Sequence, residues 1–522
     1  MQIKKMTSLV LAAMISLSLA ACGSSQTTAA TSSQTEQQTE TAAENEGSVD
    51  KNILILYFSA DNTKDVDAVS SATPMVDGTA SVEWIANIIH DNVGGDLIPI
   101  IPSEDYPLEY EALADYAKKE RDDGALISYV GPRPGTPLPE FEREIDLKGD
   151  VIMPGFKDAH THTAMTFLRS FADDLPLQEW LYDKVFPLEA RLTPEAVYLF
   201  TKLGIMEYVS SGITASFDMY YKNDEYIRAN RECGFRTVIC SALNNFDADI
   251  ENIEREFLKF NVPGDDMAGY RLGIHAEYTT SMERMEYLCS LVHKYGVPAF
   301  THISETKSET EECIGRYGLT PPRLLNSIGF FDYGGGGFHC TWFDDEDIEL
   351  FARKGLWVVT NPASNLKLAS GIAPLEKMRK AGVKLAIGTD GPASNNALDM
   401  FREMYLACVL QKHLCGDAAA FDADFALEMA CKGGADCLDL PQCDDAVEGK
   451  KADLTVINLR MPNMQPLHNI SKNIVFSGSK QNVRLSMVNG KILYEDGEYH
   501  LGFEPEDLYK EVNDYVKAEM RQ

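Results

Sequence analysis

Residues 151–162 read Val-Ile-Met-Pro-Gly-Phe-Lys-Asp-Ala-His-Thr-His, an apolar run that ends in two histidines, His160 and His162. On an extended segment residues i and i+2 face the same side, so both imidazoles can reach one metal ion. Alone, a His-x-His is a modest signal, and a pair of core or surface histidines is the plain alternative. The downstream sequence strengthens it. Further apolar runs end in polar groups, with helical stretches between them: Ile213 to Asp218, Arg236 to Leu243, Tyr270 to His275, and Val297 to Glu305 through Thr301-His302-Ile-Ser-Glu305. Phe338 is followed by His339-Cys340, Leu356-Trp-Val-Val359 leads to Asn361-Pro-Ala-Ser-Asn365, and Leu385-Ala-Ile-Gly-Thr-Asp390 closes the series. Eight βα units whose strands end in chemically useful groups describe an α/β protein of the (β/α)8 TIM-barrel class. At the mouth of such a barrel His160, His162, His302 and Asp390 offer three nitrogens and one oxygen, a donor set for one divalent metal, zinc first and iron second.

These stretches carry a family resemblance. Pro154-Gly-Phe-Lys-Asp-Ala-His-Thr-His162, Phe171-Ala-Asp-Asp-Leu-Pro-Leu-Gln-Glu-Trp180, Gly212-Ile-Thr214, His302-Ile-Ser-Glu305, His339-Cys340 and Gly388-Thr-Asp-Gly-Pro-Ala-Ser-Asn395 resemble the amidohydrolase superfamily over about residues 125–505. Within it the likeness is to the aminohydrolase branch, nearest to the 5′-methylthioadenosine/S-adenosylhomocysteine deaminases. The resemblance implies hydrolytic deamination of an adenosine-like nucleoside of the 5′-methylthioadenosine, S-adenosylhomocysteine or 5′-deoxyadenosine type.

The residue types suit that chemistry. An amino group on a heteroaromatic ring leaves poorly, so water must first add to the ring carbon, and a divalent metal brings water to a pKa of about 7. The resemblance makes Asp390 both metal ligand and proton acceptor, Glu305 the donor to the ring nitrogen, and His339 the group that steers the nucleophile, while a satisfied core histidine is the plainer reading of His339. It also implies substrate contacts by Glu189, His275 and Ser394, in addition to Glu305. For Glu189 the competing reading is a solvated carboxylate at a helix start. Two decoys fall away. His275-Ala-Glu277 is an H-x-E, but the cytidine-type P-C-x-x-C partner is lacking. The glycines Gly334 to Gly337 enter a strand instead of a helix, which reads as a flexible turn and not a phosphate loop.

The N-terminal quarter is of another kind. Lys4 and Lys5 precede an apolar run, Leu9 to Ala21, that ends Leu19-Ala20-Ala21-Cys22. This reads as a signal peptide (1–21) and resembles a bacterial lipobox, which implies lipidation of Cys22 and anchoring of an exported lipoprotein on the outer face of the cell membrane. Residues 22–50, rich in Ser, Gln, Thr and Glu, read as a disordered tether. Residues 51–124 resemble the N-terminal half of a flavodoxin-like doubly wound domain. The resemblance implies that Ser59, Asn62 and Thr63 hold the phosphate of FMN. Against this, the loops that wall in the flavin ring are missing, the loop lacks its usual glycine, and Asp61 sets a negative charge beside the phosphate, so a structural remnant is the competing reading.

The remainder divides into a partial flanking β-sandwich (125–152 with 440–505), the barrel (153–439) and a C-terminal helix (506–522). Leu126 to Gly131 and Glu144 to Leu147 are the expected N-terminal sandwich strands. The opening strands that the family has are replaced by half a flavodoxin, and ten of the 11 cysteines crowd between Cys233 and Cys443, an odd usage for an exported chain. Together these suggest a fusion of two unrelated reading frames.

The chain has 522 residues, with Lys plus Arg 47 against Asp plus Glu 80 and a formal net charge of −33. Such a surface argues against nucleic-acid partners, and the lone apolar stretch near spanning length argues against a polytopic membrane protein. Three alternatives to the deaminase remain open: an aminohydrolase on guanine or a triazine, an FMN-binding lipoprotein with a non-functional barrel, and an inactive chimera. A homo-oligomer also stays open.

Overall fold

Strands buried on both faces pack best in parallel, covered by their crossover helices. β4 (Phe156–Thr161) and β5 (Ile213–Asp218) are buried at every position, and six more runs pair beside them. A computed structural model describes residues 54–58, 126–132, 143–246 and 249–520. The leader, the tether with Cys22, and the loop residues Ser59, Asn62 and Thr63 lie outside these. Of 51–124 only the backbone of β1 (Leu54–Phe58) is described, paired in parallel with β2 (Ile127–Pro132).

β4 and β5 are followed by β6 (Arg236–Cys240), β7 (Ala268–Ala276), β8 (Ala299–Ile303), β9 (Gly335–His339), β10 (Trp357–Thr360) and β11 (Lys384–Ile387), hydrogen-bonded in chain order. The ring closes beyond β11, where the Asp390 N–H donates to the His160 carbonyl at 2.9 Å. Inside, Phe217, Phe300 and Phe338 pack at ring separations of 4.9 to 6.0 Å, and Phe338 stacks on the His160 ring at 3.8 Å. The barrel is a filled cylinder whose aromatic plug supports the metal-ligand candidates from below.

The glycine run expected as a flexible turn is instead most of β9. A Cβ on Gly335 would sit 1.8 Å from the Ala299 carbonyl oxygen of β8, and one on Gly336 would sit 2.3 Å from the Trp357 carbonyl oxygen of β10. The glycines let three backbones approach closely at that point.

Beside the barrel lies a five-stranded antiparallel sheet. In spatial order it runs from β15 (Glu498–Tyr499) through β14 (Lys491–Glu495), β13 (Val483–Val488) and β12 (Leu454–Ile457) to β3 (Val151–Pro154). Glu144 to Leu147, expected as a strand, is irregular chain. Its alternating pattern is right for an edge strand, but it makes no ladder with a neighbour. Arg236 at the start of β6, fully buried, ties the barrel to this sheet by a bidentate bond to Asp453 at 2.6 and 3.0 Å. The chain closes with a helix, Pro505–Tyr515, whose Tyr515 packs edge-on against Phe200 of helix Pro194–Ser210. Each of the ten described cysteines is a free thiol, and nine of them are buried.

Candidate active site

The groups singled out in the sequence meet at the C-terminal rim of the barrel. His160 ends β4 and His162 follows it, His302 lies on β8, and Asp390 follows β11. The Nε2 atom of His302 is 3.1 Å from that of His160 and 3.3 Å from that of His162, while Asp390 Oδ1 is 3.2 Å from His162 Nε2 and 3.7 Å from His160 Nε2. Ligand atoms about 2.0–2.1 Å from a tetrahedral zinc stand roughly 3.3–3.4 Å apart. These four separations, 3.1 to 3.7 Å, bracket those of donors around one divalent ion, and His160, His162 and Asp390 form one candidate cluster for it.

Their surroundings prepare them for it. His162 and His302 each turn Nδ1 to a main-chain carbonyl, Met219 and His275 respectively, both at 2.6 Å, which fixes the tautomer with Nε2 free. Burial and the neighbouring imidazoles hold His160 and His302 well below the ordinary histidine range, so both are neutral donors. Burial opposes ionisation of Asp390, yet the hydrogen bond and charge of His162 prevail and keep the carboxyl well below its usual range. His162, against burial, is lifted to about 9 by Asp390. The carboxylate calls for positive charge at this point, a demand that a divalent cation meets by displacing the imidazolium proton.

Two polar residues reach the same point from the facing strands. His339 ends β9 with φ at +72°, a left-handed turn that swings its ring inward. Its Nδ1 donates to Asn365 Oδ1 at 2.7 Å, leaving the Nε2 lone pair facing the site. Glu305 follows β8; its Oε1 accepts from Ser370 Oγ at 2.8 Å, and its Oε2 stands 3.9 Å from His339 Nε2. Glu309, in the capping box of helix Lys307–Tyr317, accepts the N–H groups of Ser304 and Glu305, both at 2.8 Å, and so fixes the turn that carries Glu305.

Of the expected substrate contacts, Glu189 and His275 line the cavity beside these groups. Glu189 is buried, and its Oε1 makes no bond in the protein; burial pushes the carboxyl up to about 7. His275 ends β7 with Nδ1 2.9 Å from Thr279 Oγ1, and burial, then the charge of His162, pushes its ring down to about 3. Ser394 departs from expectation: it is absent from the lining, and its hydroxyl donates to Asp390 Oδ2 at 2.7 Å. Glu277, the carboxylate of the H-x-E decoy, is turned away into an ion pair with Arg316 at 2.6 Å.

Other residues take part that the sequence reading gave no role. Ser364 joins Ser394 in donating to Asp390 Oδ2. Asp158 accepts the Thr389 N–H at 2.8 Å, clamping the Asp390 loop onto β4. The cavity roof comes from residues 177–189, where Leu177, Trp180, Leu181 and Phe186 point inward.

Comparison with known proteins agrees with this geometry. The amidohydrolase family model matches residues 151–493. A protein of Dictyoglomus thermophilum named 5-methylthioadenosine/S-adenosylhomocysteine deaminase is 40% identical over 370 residues, which is 70% of this chain and 87% of that one. One of the same name from Moorella thermoacetica is 38% identical over 396 residues, 74% and 91% of the two chains. An adenosine deaminase from Xanthomonas campestris, solved with bound zinc, superposes with a TM-score of 0.67 at 30% identity, covering 74% of this chain and 87% of that one. A rim of three imidazoles and a carboxylate on a closed eight-stranded barrel, matched through most of its length to such relatives, places the chain in the amidohydrolase family.

Proposed function

We propose that the chain is a metal-dependent hydrolytic deaminase that releases ammonia from an adenosine-like nucleoside. The supporting observation is the pairing of Glu305 Oε2 and His339 Nε2, 3.9 Å apart, over the point on which His160, His162, His302 and Asp390 converge. A divalent ion there, zinc by donor chemistry, brings water to a pKa of about 7 and so supplies a nucleophile at neutral pH.

The residues do the rest. With Nδ1–H held by Asn365, His339 accepts a hydrogen bond from the attacking water at Nε2 and aims it at the ring carbon. The Asp390 carboxylate takes the proton that the water loses and passes it to the amino group, which leaves as ammonia, while the new hydroxyl returns its proton to Glu305 as the ring carbonyl forms; the hydroxyls of Ser364 and Ser394 hold Asp390 in place. Glu305, its Oε1 held by Ser370, delivers a proton from Oε2 to the ring nitrogen, which lets the neighbouring carbon become tetrahedral. The unpaired Glu189 Oε1 accepts a sugar hydroxyl. Ammonia release measured over adenosine analogues, guanine and a triazine, for wild type and Glu305→Gln, tests this. The reading requires an adenosine compound to be turned over and Glu305→Gln to lose at least about 100-fold. Equal rates for both proteins refute the proton donor.

We further propose that Cys22 is lipidated and that the tether presents the barrel at the outer membrane face. The support is the basic, apolar and small-residue order of residues 4–22. Incorporation of labelled palmitate, lost in Cys22→Ser, tests it.

A further inference from the structure

The cavity wall is sharply divided. Its histidines, Asp390 and Glu305 gather at the metal end, and apart from Glu189 the rest is apolar or aromatic; among the described residues that line it there is no lysine or arginine. Glu189, the acceptor proposed for the sugar, belongs to the roof of residues 177–189 and so lies beside Leu177, Trp180, Leu181 and Phe186. In a ribose the carbon that bears the 5′ substituent adjoins the one that bears the 3′-hydroxyl. A sugar held at Glu189 by its 3′-hydroxyl would have its 5′ substituent within reach of Glu189's neighbours on the roof.

Phe186 sits one helical turn before Glu189 and carries the apolar surface outward. Its ring lies 5.4 Å from that of Tyr182 and 5.5 Å from that of Phe246, which is 67% exposed, so an aromatic ridge runs from the cavity to the surface. A thioether sulfur packs well against such rings. A carboxylate or phosphate that packs against these rings finds no counter-ion in the cavity wall, and it also faces the Glu189 carboxyl. The positive charges that act on Glu189 are His162, at the metal end, and then Lys222, which is exposed.

We propose that the site selects nucleosides whose 5′ substituent is uncharged and apolar, a methyl or a short alkylthio group, over those with a carboxylate or phosphate at that end, and that Phe186 is a determinant of this choice. The inference rests on the adenosine-type reading above. Its test is kcat/KM for ammonia release by the metal-loaded full chain on 5′-methylthioadenosine, 5′-deoxyadenosine, S-adenosylhomocysteine and adenosine 5′-monophosphate, with guanine alongside. The expected result is a preference of at least about tenfold for 5′-methylthioadenosine over S-adenosylhomocysteine, with the monophosphate slower still. Phe186→Arg puts a cation on the ridge and should raise the ratio of S-adenosylhomocysteine to 5′-methylthioadenosine about tenfold; because it is a ratio, a general loss of active protein cancels. Equal or better turnover of the charged substrates by wild type overturns the inference while leaving the deaminase reading intact. A ratio unmoved by Phe186→Arg overturns the assignment to Phe186. Ammonia from guanine with none from any adenosine compound overturns both readings together.

Discussion

Two adjacent glycines separate backbone strain from steric overlap. Gly334 and Gly335 both have positive φ, at +89° and +109°. A Cβ at 334 would meet nothing within 4 Å, whereas at 335 it would lie 1.8 Å from the Ala299 carbonyl oxygen and 2.6 Å from the Ala299 nitrogen. Gly334→Ala should therefore lose only the left-handed backbone term, about 1–2 kcal/mol. Gly335→Ala carries a similar term plus overpacking of about 1–3 kcal/mol, and the overlap is with backbone, which no rotamer change relieves. Relief requires β8 and β9 to move apart, and those strands carry His302 and His339 and lead to Glu305. A displacement of about 1 Å at a reacting group costs on the order of 100-fold in rate. Denaturant unfolding should thus place Gly335→Ala about 1–3 kcal/mol below Gly334→Ala. Its kcat should fall much further than that of Gly334→Ala. Equal stability and equal kcat for the two variants would refute the close strand approach on which the site geometry depends.

Prolonged chelation should remove one divalent ion per chain and abolish ammonia release, with zinc restoring it; His162→Ala should fail to regain the ion, as read by metal analysis. Glu189, pushed up to about 7 by burial, predicts a KM for nucleoside that rises as pH falls below 7 and a flatter profile in Glu189→Gln. Its folded-state pKa is raised, so its contribution to stability is fully present below its unfolded value and is lost as pH climbs through 7; Glu189→Gln should unfold at higher denaturant than wild type above pH 7. Asp453→Ala leaves the fully buried Arg236 guanidinium without its bidentate partner and should destabilise the chain by about 3–5 kcal/mol. Arg236→Met with Asp453→Leu should recover most of that loss.

The barrel was readable because its strands are buried on both faces, which leaves apolar runs punctuated by polar groups at one end. β4, β5 and β8 need no knowledge of their neighbours to be recognised. β9 does. Gly334 to Gly337 say only that side chains are missing, and whether this frees a loop or admits two carbonyls from adjoining strands depends on Ala299 and Trp357, which are distant in sequence. Glu144 to Leu147 failed for the opposite reason: the local pattern suits a strand, but no partner edge pairs with it.

The same divide runs through the site. His160, His162, His302 and Asp390 stand out in the sequence as candidate ligands because metal ligation restricts a position to a few residue types at strand ends, and the fold brings them together. Serines are under no such restriction. Ser394 stands four residues past Asp390 and is expected as a substrate contact; in the structure its hydroxyl donates to Asp390 Oδ2. Ser364 reaches the same oxygen from the helix after β10, and Ser370 reaches Glu305 from a turn 65 positions away. Both carboxylates thus have one oxygen pinned by hydroxyl donors, of which Ser364 and Ser370 stand far from them in the chain. If that pinning orients the reaction, removing Ser370 should lower kcat while leaving the bound metal in place, and removing Ser364 together with Ser394 should loosen the metal as well, because of the two carboxylates Asp390 is the one proposed as a ligand.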